Sequence, residues 1–377
     1  MPSRRAPLEA PWLPATGVNV DALDIEALRQ QIDEVDEQLV ALLNRRASLA
    51  AQVGRVKASG GNGAEEVYRP DREARVFDHV LSATAGPLPG SALRAIYGEI
   101  LSACRGVQRQ LRVGYLGPVG TFTHEAALRR FGSSATLVPC RTIEDIFLET
   151  ERGSVDYGVV GVENSTAGAV TPTLDVFLDS GLQICAEIEL PIAHNLLSRG
   201  ELSQVRRVYA HPQALAQCRR WLSGNLPGAE QVEVASNALG AQMADSPDTA
   251  AIGPEVAGRL YGLAVIAPHI EDASSNVTRF LVIGPTRSPQ TGRDKTSVVF
   301  AVRNRPGALR DALEAFARRG IDLTRIESRP SKRRLWEYVF FVDFTGHPDD
   351  ERVAEALDEL DRGALFVKVL GAWPLGS

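Results

Sequence analysis

Apolar positions near the start of the chain recur at steps of four and three. Leu28, Ile32, Val35, Leu39, Leu42, Leu49, Val53 and Val56 trace one stripe along a single long helix. Gly60-Gly61-Asn62-Gly63 ends it. Pro70 opens a second helix at its first turn, carrying Val76, Phe77, Val80 and Leu81. Gly86-Pro87-Leu88-Pro89-Gly90 breaks that helix, and a third is predicted from Ser91 to Gln108. Two short helices cannot cover so long a stripe. The pattern therefore predicts that a second chain supplies the missing apolar surface.

From Leu111 the period changes. Strands are predicted at Arg112–Gly117, Thr136–Cys140, Tyr157–Val162, Ile184–Leu190, Arg206–Ala210, Gln231–Ala235, Thr249–Ile252 and Arg279–Ile283. Helical runs lie between them, which predicts a mostly parallel sheet with helices on both faces. The length of this stretch, with no internal repeat, predicts two lobes. A Gly/Pro/Ser/Thr-rich linker runs from Gly284 to Asp294. Beyond it come strand Ser297–Val302, helix Gly307–Arg319, strands Leu323–Ser328 and Leu335–Phe344, helix Asp350–Leu360 and strand Phe366–Trp373. That βαββαβ order predicts a ferredoxin-like layer. The organisation read from the pattern is a disordered leader (1–20), an all-α segment (21–110), an α/β segment of two lobes (111–285), a linker (286–295) and an α+β segment (296–377).

Composition narrows the classes. Hydrophobic residues at 44% and charged residues at 23% are ordinary for a soluble globular protein. A net charge of −6 argues against bulk nucleic-acid binding. Cys104, Cys140, Cys185 and Cys218 are widely spaced with no Cys-x-x-Cys pair, so reduced thiols in a cytoplasmic protein are expected. The leader holds Pro2, Pro7, Pro11 and Pro14 and lacks the apolar run of a secretory signal. No stretch approaches the ~20 apolar residues of a membrane span. No Gly-x-Gly-x-x-Gly follows a strand, and no cluster has metal-ligand spacing, so neither cofactor nor metal is expected.

One charge breaks the helical stripe. Arg46 stands at a stripe position, four after Leu42 and three before Leu49. A buried arginine costs several kcal/mol unless paired. Either an anionic ligand sits in the bundle, or the side chain snorkels to solvent or meets a glutamate. Lys57 lies eleven positions on, about 20° around the helix and roughly 16 Å along it. Arg72-Glu73 begins the second helix, and Cys104 and Gln108 share one face of the third. Arg29 is about 100° off the Arg46 face, suited to a symmetry-related site.

The α/β segment places polar groups at strand ends, where such folds put ligand clefts. Gly117-Pro118-Val119-Gly120-Thr121-Phe122-Thr123 joins a strand to a helix and can present backbone N–H groups and hydroxyls to an anion. Glu163-Asn164-Ser165-Thr166-Ala167-Gly168 and His211-Pro212-Gln213-Ala214-Leu215-Ala216-Gln217-Cys218 each follow a strand. Alone, each of these is equally a cap and turn. Asn276-Val277-Thr278-Arg279-Phe280 runs into a buried strand ending at Gly284-Pro285. Arg305-Pro306-Gly307-Ala308-Leu309-Arg310 and Glu327-Ser328-Arg329-Pro330 come later, in that order.

Thr-Arg-Phe followed by the last two motifs resembles prephenate dehydratase with a C-terminal ACT domain. The charged helical set resembles the all-helical chorismate mutase, an intertwined dimer in which one arginine crosses from the partner chain. The resemblance implies a periplasmic-binding-protein-like fold for the two lobes and an ACT fold for the last segment. It implies conversion of chorismate to prephenate and of prephenate to phenylpyruvate, with L-phenylalanine as effector, in a homodimer or dimer of dimers. The first reaction is pericyclic, and holding the folded dianion and stabilising charge on the ether oxygen suffice for it.

By the same resemblance Arg29 and Arg46 grip the two carboxylates, Glu73 takes the ring hydroxyl, and Lys57 and Gln108 donate to the ether oxygen. Arg72 and Cys104 complete that set. Cys104 stands where some relatives carry serine, and Arg69 replaces an acidic residue before Glu73. In the dehydratase, Asn164, Gln217 and Thr278 line the site, Thr121 and its loop amides meet a carboxylate, and Phe122, Ser165, Thr166, His211 and Gln213 fill out the pocket. Some relatives have a hydroxyl residue where this chain has Ala210. Thr278 is read as a hydrogen-bond donor to the departing hydroxide, because a hydroxyl is too weak an acid to give up its proton. Arg279, ahead of Phe280, either anchors a carboxylate or braces the strand. L-Phenylalanine would meet Asn304, Gly307, Ala308 and Leu309 from one protomer and Glu327, Ser328, Arg329 and Pro330 at a strand end. Two other readings stand beside this one: a dehydratase with an inert helical dimerisation arm, and a non-catalytic two-lobed amino-acid sensor.

Overall fold

The computed structural model describes residues 24–59, 67–273, 275–331 and 338–376. The leader, the glycine stop at 60–63 and the first residues of the strand expected from Leu335 lie outside these. Helix α1 (Ile25–Ser59) is followed by α2 (Pro70–Ala83) and α3 (Gly90–Gly106). α1 packs against α3 yet buries none of its own residues. Leu42 is 60% exposed and Val56 71%, so the apolar stripe lies open along the single chain. α2 and α3 in turn dock on the next segment. There Tyr68 is fully buried, with its ring 4.9 Å from Phe131 and 5.0 Å from Tyr157.

The first lobe contains β1 (Arg112–Leu116), α4 (Phe122–Phe131), β2 (Thr136–Cys140), α5 (Ile143–Glu151), β3 (Tyr157–Asn164), β4 (Gly168–Ala169), α6 (Thr171–Phe177) and β5 (Gln183–Pro191). The chain then crosses into a second lobe: β6 (Asn195–Ser198), β7 (Arg207–Ala210), α7 (Pro212–Gln217), α8 (Arg219–Asn225), β8 (Glu230–Glu233), α9 (Asn237–Met243), β9 (Thr249–Gly253), α10 (Glu255–Tyr261) and β10 (Ala264–Ala267). It returns on β11 (Val277–Gly284).

The expected mostly parallel sheet is corrected. β1 is parallel to β2 and β3, and β7 to β8 and β9, but the other pairings within the lobes are antiparallel. Two crossings explain much of this. A chain that leaves along β5 and returns along β11 must run those strands against each other, and β11 also runs against β3. The short β4, β6 and β10 carry too few alternating positions to be read from sequence.

The last segment runs β12 (Asp294–Ala301), α11 (Ala308–Ala317), β13 (Leu323–Pro330), β14 (Tyr338–Thr345), α12 (Glu351–Gly363) and β15 (Phe366–Pro374), the expected βαββαβ order. Its sheet joins that of the first lobe in the order β13-β14-β12-β15-β5-β11-β3-β1-β2. The junction is Gly371 against Ile184. A Cβ at Gly371 would lie 2.2 Å from the Ile184 carbonyl oxygen, so only glycine lets the strands meet. Ile184, Leu281, Val299, Phe341 and Trp373 consequently share one core across the two segments. The stretch expected to be a linker is tied down as well. Ser288 is buried, with its hydroxyl donating to the Cys185 carbonyl at 2.9 Å.

Candidate active sites

The two lobes face each other across a cavity of about 220 Å³. Thr121 caps α4 on one wall, accepting from the His124 amide at 3.2 Å and donating to the Leu116 carbonyl at 3.0 Å. Thr121 and Phe122 of that first turn line the cavity, and a helix N-terminus is suited to an anion. Asn164 ends β3 directly opposite Thr278 on β11, and both line the cavity. The Asn164 amide nitrogen donates to the Thr278 hydroxyl at 2.8 Å and to Asn276 Oδ1 at 2.8 Å. Its oxygen accepts from the Thr166 hydroxyl at 2.6 Å and from the Ala167 amide at 2.9 Å. The Asn164 side chain is thereby fixed with its NH₂ toward Thr278. A hydroxyl that accepts from Asn164 keeps its own proton to donate elsewhere, which is what a departing hydroxide needs.

Gln217 comes from the second lobe. Its amide nitrogen donates to the Thr166 hydroxyl at 3.0 Å, and its oxygen lies 2.7 Å from His194 Nε2. His194 was not singled out from sequence; it sits in the crossing between β5 and β6, where no motif marks it. Burial pushes its imidazole below the ordinary histidine range, and Gln217 and Glu271 offset this only in part. The ring is therefore neutral near pH 7 and donates through Nε2. Its edge contact with Phe122, 5.6 Å between centroids, places that ring on the cavity wall. His211 and Gln213 also line the cavity.

Three expectations change here. Arg279 does not line the cavity. Its guanidinium meets Glu187, Asp343 and Glu163 on the other side of the sheet, so it braces the strand. Burial alone would raise the Glu187 carboxyl, but Arg279 and Lys295 outweigh it and hold that group below the usual range. Phe280 is buried in the first lobe's core rather than in the cavity. Ser165 latches the turn, donating to the Ser275 carbonyl at 3.1 Å and accepting from the Val277 amide at 3.0 Å. Among the described residues lining the cavity there is no lysine or arginine. An anion there must be met by hydroxyls, amides, histidine and a helix N-terminus.

The helical segment gathers part of its charged set. Arg46 donates to the Cys104 sulfur at 2.7 Å, and the Gln108 amide donates to the Cys104 carbonyl at 3.2 Å. Gly54 makes room for Gln108, because a Cβ there would lie 3.1 Å from its side chain. Arg46 is thus half-buried against α3, and among the described residues it meets no glutamate. A thiol is a weak acceptor and leaves most of the guanidinium donors for a ligand. Lys57 is half-buried on the same helix, and Arg72 is exposed. Arg29, 68% exposed, pairs with Glu26 at 3.4 Å. It stands seventeen residues from Arg46, roughly 25 Å along a rigid helix, too far for one small dianion to bridge within a chain.

Glu73 is revised. Its carboxylate is buried against Arg105, which also donates to the Phe131 carbonyl at 2.8 Å. Two buried charges on facing helices must pair, so this acid is engaged at the junction with the first lobe rather than on the Arg46 face. Arg69, the other departure, pairs at 2.9 Å with the fully buried Asp71.

In the last segment Gly307 takes a φ of +82° at the start of α11, and Asn304 and Gly307 lie on an exposed loop. Ala308 is buried and Leu309 packs on the local core. Along β13, Arg325, Glu327 and Arg329 share the partly buried face while Ser328 and Pro330 face solvent. Arg329 meets Thr171 and, at 3.7 Å, Asp175 on α6, and so braces the segment against the first lobe.

A cleft of hydroxyls and amides between two lobes, a cationic helical site ahead of it and a ferredoxin-like layer behind it define a two-site enzyme with a third, ferredoxin-like domain. Comparison with known proteins bears this out. Family models match in order: chorismate mutase type II at residues 28–109, prephenate dehydratase at 113–288 and the ACT domain at 296–362. The bifunctional chorismate mutase/prephenate dehydratase of Aquifex aeolicus is 46% identical over 93% of this chain and 98% of its own. That of Stutzerimonas stutzeri is 45% identical over 94% and 98%. The crystal structure of a prephenate dehydratase from Arthrobacter aurescens in complex with L-Phe is 37% identical, with a TM-score of 0.65 over 70% of this chain and 90% of its own. The chain belongs to the bifunctional chorismate mutase/prephenate dehydratase family.

Proposed function

We propose that the chain converts chorismate to prephenate at the helical site and prephenate to phenylpyruvate in the cleft, under inhibition by L-phenylalanine. The observation that carries the second activity is the Asn164–Thr278 hydrogen bond at the cavity wall. It supports a donor hydroxyl aimed at the ring oxygen, with the α4 N-terminus and neighbouring amides holding a carboxylate. Aromatisation drives loss of carbon dioxide, so alignment and one donor suffice. The Arg46–Cys104–Gln108 group supports the first activity, with Lys57 beside it and Arg29 arriving from a second copy. The open stripe on α1 favours a homodimer or dimer of dimers closed by helix pairing, and a cytoplasmic setting suits four cysteines that form no disulfide.

Purified chain supplied with chorismate should release phenylpyruvate, with prephenate passing through as an intermediate. Phenylpyruvate from prephenate but none from chorismate would leave the helices as an inert arm. Turnover of neither substrate would leave an amino-acid sensor.

A further inference from the structure

The rung that carries the proposed dehydratase groups has a neighbour aimed the other way. Asn164 pairs with Thr278, and the next rung pairs Glu163 with Arg279. Successive side chains on a strand point to opposite faces. The first pair thus lines the cleft while the second faces the ACT sheet. There it meets another rung, Arg325 of β13 opposite Asp343 of β14. The two rungs are cross-linked. Arg279 donates to Asp343, and Arg325 pairs with Glu163 at 2.8 Å. Arg279 and Glu163 themselves lie 3.6 Å apart. Two guanidiniums and two carboxylates thereby alternate around one set. Lys295 and the Trp373 indole hold Glu187, the further partner of Arg279, at 2.8 and 3.0 Å. The side chains of Arg325, Asp343 and Arg279 are 9%, 3% and 13% exposed and that of Glu163 39%, so solvent screens the Arg279–Asp343 pair weakly and the pairs to Glu163 more strongly.

β13 runs on within two residues to Glu327-Ser328-Arg329-Pro330, and Arg329 grips α6 of the same lobe. A shift of the ACT sheet cannot leave Arg279 where it is without separating it from the buried Asp343, which is costly, and it also pulls Arg325 from Glu163. Moving Glu163 and Arg279 moves the adjacent residues Asn164 and Thr278 on the same backbone. We infer that Arg325 and Asp343 are positioning residues for dehydration: through Glu163 and Arg279 they set the placement of Asn164 and Thr278, so prephenate turnover depends on how the ACT sheet is seated. The inference rests on the cleft being the dehydratase site.

The test uses the whole chain with Arg325→Gln and Asp343→Asn, the latter nearly isosteric. Arg287→Gln, at the exposed Arg287–Asp349 pair, serves as control. Each positioning variant should lower kcat for prephenate about tenfold, since small misplacements of a donor are costly in rate. KM should stay within about twofold, because uniform binding is untouched. Chorismate turnover and the control should be unchanged, and Arg325→Lys and Asp343→Glu should recover part of the loss. Both positioning variants should still gain thermal stability from L-phenylalanine while being inhibited less. Folded variants with parental kcat, a parallel fall in mutase turnover, or undiminished inhibition would each overturn the inference. A parent chain that does not consume prephenate would overturn the functional reading beneath it.

Discussion

The cleft and the helical site are built on opposite plans. The side chains gathered around the proposed dehydration donor are held within one chain by hydrogen bonds between neutral groups, from Thr278 through Asn164 and Thr166 to Gln217 and His194. The helical site is cationic, and two of its arginines lie too far apart along α1 to serve one ligand. A long helix displays charge at intervals but cannot curl it around a small molecule. Folded sheet ends can. The difference teaches that a site set on one straight element needs a second copy of that element, whereas a site between lobes closes on itself.

Thr278→Ala breaks the comparison on the cleft side and carries the largest expected effect. Loss of one preorganised donor should lower prephenate turnover by ~10²-fold or more. Mutase turnover should stand, and Thr278→Ser should retain much more of the dehydratase. Equal loss of both activities would point to misfolding. On the helical side, Gln108→Ala should lower mutase turnover on the order of tenfold to a hundredfold while sparing the cleft. Because glutamine is a neutral donor at every accessible pH, the parent's mutase rate should change little between about pH 6 and 8.

L-Phenylalanine should raise the melting temperature and reduce prephenate turnover. Ser328→Ala should weaken both effects, and so should Gly307→Ala, which forces a side chain into the +82° backbone conformation at about 1 kcal/mol. Saturating L-phenylalanine without either effect would leave the ACT segment with an assembly role alone. The smallest effect is expected from pH. Burial depresses the folded-state pKa of His194 below its ordinary 6.5. Its stabilising neutral form is complete above the unfolded value and is lost as pH falls through the lower folded one. Dehydratase turnover should therefore show no decline centred at the ordinary histidine value of 6.5 and should fall only at lower pH. A decline centred at 6.5 or higher would contradict the burial of His194.

Much of this was legible in the sequence, and the failures share a cause. The heptad stripe, the change of period at Leu111 and the βαββαβ order are local patterns, and each became the expected elements. Thr121, Asn164 and Thr278 sit at a cap and at strand ends, motifs that alone are equally turns; the family resemblance, rather than spacing, is what groups them with Gln217, and all four line the cavity. What spacing does not carry is which partner a charge finds across the fold. Arg279 faces Asp343, 64 residues on, and Glu73 faces Arg105, 32 residues on. The sequence leaves Arg279 open between a carboxylate anchor and a strand brace, and by resemblance gives Glu73 to a ligand, because each partner lies on a different element far along the chain. His194 was missed for the complementary reason: a lone histidine in a crossing shows no period. The parallel sheet was overestimated because the two crossings that reverse β11 are a property of topology.

The central claim is that one site closes within a chain while the other is shared between two. Mixing two inactive variants tests it most directly. Arg29→Ala and Arg46→Ala chains, each impaired in mutase turnover and each with normal prephenate turnover, are unfolded together and refolded. In a dimer with shared sites, half the molecules become mixed and one of the two sites in each is intact. About a quarter of parental mutase activity should then return, with dehydratase activity unchanged. A refolded mixture no more active on chorismate than the separate variants would contradict the shared site.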